Sequence, residues 1–192
     1  LVEGVTLRQG TAVNGGAVFL GAGSSFSFLE STLFEDNIAS GNGAVVATSG
    51  DFDGAISGYR FYLSGNESGS DGGMFYIDGA EGSLINLTLV NGTITNNLGG
   101  RIQLLAPKHF MALQNMTVAF NGGLALYLKE AGLDVPVPEA DPPVESSTSF
   151  ILNTVLVGND GGVCAGTALD GTDDADATLF STITDDANCP LP

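Results

Sequence analysis

The chain has 192 residues, 28 of them Gly, with 22 Asp or Glu against 5 Lys or Arg and a formal charge of −17. That length suits one domain with a core of its own, and five scattered cations cannot build the basic surface that nucleic acid or an anionic membrane requires. The glycines show no three-residue period, which excludes collagen, and no apolar run approaches the ~18–20 residues that span a bilayer. A hydrophobic share of 43% belongs to a globular chain and not a disordered one.

Residues 1–10 (LVEGVTLRQG) lack a basic n-region, an apolar h-region and a small-residue cleavage site. They begin inside a structural pattern, as in a segment excised from a longer protein. From there a Gly preceded by Gly or Asn, usually followed by an apolar run, recurs six times. Its positions are Gly16, Gly43, Gly73, Gly100, Gly123 and Gly162, at intervals of 27, 30, 27, 23 and 39 residues. Ahead of five of these stands an apolar residue with Asn three positions later: Phe34/Asn37, Leu63/Asn66, Ile94/Asn97, Val118/Asn121 and Leu156/Asn159. In the first repeat Leu7 and Gly10 fill those slots.

Between the two signals lie alternating runs such as SFSFLESTLF, GSLINLTLV and HFMALQNMTVAF. A period of two bounded by Gly and Asn signals short strands, two or three to a repeat. Pieces this small cannot bury a face alone and must stack on their neighbours. The expected fold is all-β: a right-handed single-stranded parallel β-helix, a solenoid of about 6–7 coils spaced by ~4.8 Å. A leucine-rich repeat would show a leucine ladder and helical segments, and an antiparallel sandwich would lack the Gly-Gly punctuation. A short helix is expected over residues 123–132 (GLALYLKEAG).

Gly marks corners too tight for a side chain, and Asn tolerates the left-handed region while bonding local backbone. Stacked, Asn37, Asn66, Asn97, Asn121 and Asn159 can bond one another in an inward or corner ladder; the alternative is a set of turn asparagines facing water. Residues 129–149, with VPVPEADPPVE, form a proline-rich acidic insertion that accounts for the 39-residue interval, either a functional loop or a spacer. Residues 160–192 form a closing segment with the two cysteines, Cys164 and Cys189. A disulfide between them would close a loop of about 25 residues, worth ~3.5 kcal/mol, and would place the chain in an oxidising compartment. Two separate buried thiols are the other reading. Four Asn-x-Ser/Thr sequons, at Asn66, Asn86, Asn91 and Asn115, are what an Asn- and Thr-rich repeat produces by chance.

The pairing of apolar-x-x-Asn with Gly-Gly-apolar resembles the repeats of chlamydial polymorphic outer-membrane proteins, FxxN and GGA(I/L/V). FEDN at residues 34–37 matches the first motif and GGAV at residues 15–18 the second; the other copies replace Phe with Leu63, Ile94, Val118 and Leu156. The same grammar is similar to that of pectin-lyase-like bacterial surface and secreted proteins. NTVLVGN at residues 153–159, followed by Cys164 and Cys189, looks like the coil that closes such helices. The resemblance implies an extracellular or cell-surface location. It also implies a structural or adhesive role, with a polysaccharide-binding module or a polysaccharide lyase or hydrolase as the alternative.

Lyases of this superfold combine Ca²⁺-binding carboxylates with a Lys or Arg that acts on a uronate. The cationic candidates here are Arg101, Lys108 and His109, set against a solvated surface loop at Pro107-Lys108-His109. With 22 acidic residues, no carboxylate pair stands out for hydrolysis, so the chain reads as a binding or structural protein before an enzyme. Asp170, Asp173, Asp174 and Asp176 (DGTDDAD), and DFDG at residues 51–54, offer oxygen ligands for Ca²⁺ without a complete twelve-residue loop; otherwise no cofactor is implied. The expected partners are a glycan or cell-surface ligand, together with weak end-to-end self-association through open strand edges.

Overall fold

Apolar side chains at every second position need a common interior, and neighbouring repeats supply it. The computed structural model is accordingly all-β, with parallel ladders throughout and no helix among the described residues. The structure describes residues 1–69, 72–79, 83–105, 108–123, 125–129, 148–161, 164–165, 176–180 and 182–184. A twelve-stranded sheet collects Val2–Glu3, Thr6–Arg8, Ser25–Glu35, Ala55–Ser64, Leu84–Val90, Thr93–Thr95, Lys108–Gln114, Thr117–Ala119, Thr148–Leu152, Val155–Val157, Asp176–Phe180 and Ile183–Thr184. A six-stranded sheet holds Val18–Leu20, Val46–Thr48, Phe75–Asp78, Ile102–Leu105, Leu126–Lys129 and Cys164–Ala165. A small third sheet holds Thr11–Ala12, Ile38–Ala39 and Glu67–Ser68.

Each strand pairs with its counterpart in the next repeat, so the ladder partners of the six-stranded sheet run Val18, Val46, Phe75, Ile102, Leu126 and Cys164. The apolar residue of the apolar-x-x-Asn motif follows the same rule: Leu7, Phe34, Leu63, Ile94, Val118 and Leu156 share one register column. Val46, Phe75, Ile102 and Leu126 of the first column and Phe34, Leu63, Ile94, Val118 and Leu156 of the second point inward into one continuous core, with Val18 and Leu7 packed against it. At its centre Phe28 meets Phe34 and Phe61 edge-on at 5.2 and 5.0 Å, with Phe75 stacked at 6.2 Å. Room for that ring comes from Gly58, next to Phe28 in register, where a Cβ would lie 2.3 Å from the ring's Cε2.

Residues 123–132 do not make the expected helix, since Leu126–Lys129 is a strand. Ala125 and Leu126 are fully buried, and the strand pairs with Ile102–Leu105 along its whole length. A ready-made ladder edge outweighs local helix propensity.

Two left-handed corners recur in each repeat. One follows the first half of the large sheet, at Gly4, Glu30, Arg60, Asn91, Asn115 and Asn153; the other follows its second half, at Gln9, Asp36, Gly65, Asn96, Phe120 and Gly158. All have φ between 44° and 68°. Five residues separate the two corners in every repeat but the second. There Ser31 is an extra left-handed residue, and the register shifts between Leu29 and Thr32.

Candidate functional site

The residue after the second corner is the repeating asparagine. Asn37, Asn66, Asn97, Asn121 and Asn159 are 0–8% exposed, so they do not face water. Each of the first four donates from its backbone N–H and its Nδ2 to the Oδ1 of the next, at 2.9–3.2 Å. The second Nδ2 hydrogen goes back to the carbonyl of the motif's apolar residue one repeat earlier: Leu7, Phe34, Leu63, Ile94 or Val118. One amide thus ties three repeats together. Gly10 ends the column, donating its N–H to Asn37 Oδ1 at 3.0 Å.

The repeating glycines divide between two tasks. Gly43, Gly73 and Gly123 have positive φ. In the first and fourth copies that conformation belongs to Gly15 and Gly99. Gly16 and Gly100 are required for space, because a Cβ would lie 2.6 Å from the Ala44 carbonyl oxygen and 2.7 Å from Asn121 Cβ. The ladder explains the split: Gly15 stands opposite Asn42-Gly43, and a one-residue irregularity near Met74 changes which member of the pair turns. Gly162 lies outside the described residues.

The cationic candidates do not converge. Lys108 opens the strand Lys108–Gln114, so no surface loop holds Lys108-His109. His109, 2% exposed, is next to Ile85 in register, and its Nε2 lies 3.2 Å from Ser149 Oγ. Alternation along the strand turns it into the core. Arg101 stands just before Ile102–Leu105, a strand of the six-stranded sheet, whereas Lys108 opens a strand of the large sheet. Its guanidinium lies 5.2 Å from the centre of the Tyr127 ring.

Asp170, Asp173, Asp174 and Cys189 lie outside the described residues, as does most of the 129–149 insertion. Asp176 and Cys164 are placed only as strand residues. In DFDG, Asp53 Oδ1 accepts the Gly23 N–H at 2.5 Å and Phe52 is buried. Among the described residues no three His, Cys, Asp or Glu gather as a metal centre, and no helix is long and apolar enough to cross a membrane.

Two outward features are less obvious in the sequence. At the first corner Asn115 and Asn153 donate to Asn91 and Asn115 at 3.0 and 3.2 Å, and Arg60 pairs with Glu30 at 3.1 Å. Asn six residues before the inner Asn is the signal that would have revealed this exposed column. On the outer face of the six-stranded sheet, Phe19, Ala47, Tyr76, Gln103 and Tyr127 share one register column. Burial pushes the Tyr76 phenol upward, with Asp78 adding to the shift and Arg101 opposing it; burial also pushes the Asp78 carboxyl upward, against the Gly79 N–H that bonds it. An aromatic residue three or four positions after the turn glycine marks this column in sequence. In comparisons with family models, curated proteins and solved structures, nothing matches this chain.

Proposed function

We propose that the chain is a right-handed single-stranded parallel β-helix and serves as an extracellular structural and adhesive domain of a bacterial surface or secreted protein. The observation that carries this reading is the buried asparagine column, which bonds every repeat to the next alongside parallel ladders in the sheets. A chain that returns to the same register after each circuit and advances by one strand spacing builds an elongated body, and parallel crossovers are overwhelmingly right-handed. The repeat's resemblance to polymorphic outer-membrane proteins and the charge of −17 support a place outside the cell.

A structural or adhesive role is favoured over a uronate lyase because the residues such a lyase would need point apart: His109 into the core, Arg101 across Tyr127. The location is tested by labelling intact and permeabilised source cells with antibody to this chain. Equal labelling of both supports the surface reading, and labelling only after permeabilisation overturns it. Absorbance at 235 nm with a panel of uronate polysaccharides should stay flat; a rise abolished by Arg101→Ala would replace the adhesive role with a lyase.

A further inference from the structure

Asparagine is a thermolabile residue, and most of all before glycine, whose N–H is unhindered by a Cβ and can attack the asparagine side-chain carbonyl. Four such steps occur in the chain: Asn14-Gly15, Asn42-Gly43, Asn91-Gly92 and Asn121-Gly122. The structure sets one of them apart by the partner of its attacking nitrogen.

In three of the steps that nitrogen is held by a backbone carbonyl of a neighbouring repeat. Gly15 donates to the Asn42 carbonyl at 3.0 Å, Gly43 to that of Gly72 at 2.9 Å and Gly122 to that of Asn97 at 2.8 Å. Gly92 donates instead to Met116 Sδ, at 3.2 Å. A thioether is a weak acceptor, so this nitrogen is the most readily freed of the four. One repeat further on, the Met116 N–H has an oxygen for its partner, Thr154 Oγ1 at 3.4 Å. Packing explains why a glycine follows Asn91. A Cβ on Gly92 would lie 2.2 Å from Phe61 Cζ, and the buried ring leaves no room for a side chain there.

The carbonyl under attack is exposed and already polarised. Asn91 stands at the first corner with a φ of 55°, and its Oδ1 accepts a hydrogen bond from Asn115 Nδ2 at 3.0 Å. A donor at that oxygen stabilises the negative charge that develops during attack. Asn121 is the opposite case, buried and fixed through its side chain by four hydrogen bonds. Asn14 is the internal control. It is exposed, its Oδ1 accepts the Asn42 N–H at 3.0 Å, and valine precedes it just as Val90 precedes Asn91. What separates the two sites is the acceptor that holds the glycine nitrogen.

We propose that Asn91 is a site of spontaneous hydrolytic modification, the fastest of the four Asn-Gly steps in the folded chain. The Gly92 nitrogen bonds to Asn91 Cγ and gives up its proton, the Cγ–Nδ2 bond breaks, and ammonia carries that proton away. Water then opens the cyclic imide at either carbonyl, leaving aspartate or isoaspartate; nothing is oxidised or reduced. Either product adds one negative charge at the corner that Arg60 occupies one repeat earlier. The isoaspartate also adds a methylene to the main chain between the corners at Asn91 and Asn96.

The test is prolonged incubation of the folded 192-residue chain at neutral pH in heavy-oxygen water, followed by peptide mapping by mass spectrometry. Asn91 should gain label about tenfold faster than Asn14, Asn42 and Asn121, a barrier difference of ~1.4 kcal/mol. In chain unfolded by urea, the rates at Asn14 and Asn91 should converge. Met116→Thr, which offers Gly92 the kind of oxygen found at Thr154, should slow Asn91 several-fold. Asn14 reacting as fast as Asn91 in the folded chain, a lead for Asn91 that persists in urea, or an undiminished rate in folded Met116→Thr would overturn the proposal. Should that variant fail to fold, as judged by circular dichroism, the comparison of Asn14 with Asn91 in folded and unfolded chain decides alone.

Discussion

At the scale of single residues, the most constrained atom type is the asparagine amide. Asn97 Oδ1 accepts two hydrogen bonds from Asn66, while its own Nδ2 reaches Asn121 Oδ1 and the Leu63 carbonyl. Asn97→Ala orphans two buried donors of Asn66, each worth roughly 1–3 kcal/mol, so denaturant melts should show a loss of at least ~2 kcal/mol. Asp78 gives the pH dependence. Its folded carboxyl titrates above the ordinary 3.8 because burial disfavours the charge. The folded state therefore holds the proton more tightly than the unfolded one, and this group's stabilisation is lost as pH rises through its folded value. Asp78→Asn should flatten that decline, read as a smaller fall in melting temperature from pH 4 upward.

At the scale of elements, inward columns behave as single packed objects. Gly58 exists to admit the Phe28 ring, so Gly58→Val should cost about 1–3 kcal/mol through overpacking. Adding Phe28→Leu should recover part of that loss in a double-mutant cycle. Much of this level was legible in the chain itself. The apolar-x-x-Asn and Gly-Gly signals fix register columns because each repeat must present the same bend to its neighbour. The burial of His109 was legible only in part: it shares strand parity with the inward Met111 and Leu113, but the reading of residues 107–109 as a surface loop set it outside that alternation. The helix expected at residues 123–132 failed for a related reason, as its pairing partner lies a whole repeat away. The outward aromatic column also escaped notice, because Ala47 and Gln103 interrupt its chemistry in sequence while leaving it continuous in space.

At the scale of the whole molecule, the first repeat has an open side. Val2–Glu3, Thr6–Arg8, Thr11–Ala12 and Val18–Leu20 each pair with one later strand only, and Leu1, Val13 and Phe19 are exposed there. Open parallel edges beside apolar side chains favour pairing with another chain. Sedimentation velocity at several concentrations should therefore show a coefficient that rises with loading, and a constant value would count against end pairing. One contrast reaches further. The two left-handed corners keep nearly fixed separation from repeat to repeat, whereas the connections from the six-stranded to the large sheet span four, six, five, two, 18 and ten residues. The amide column demands metre at the first location, while no comparable constraint governs the second. Residues can therefore be added along that one seam without moving the asparagine column out of step.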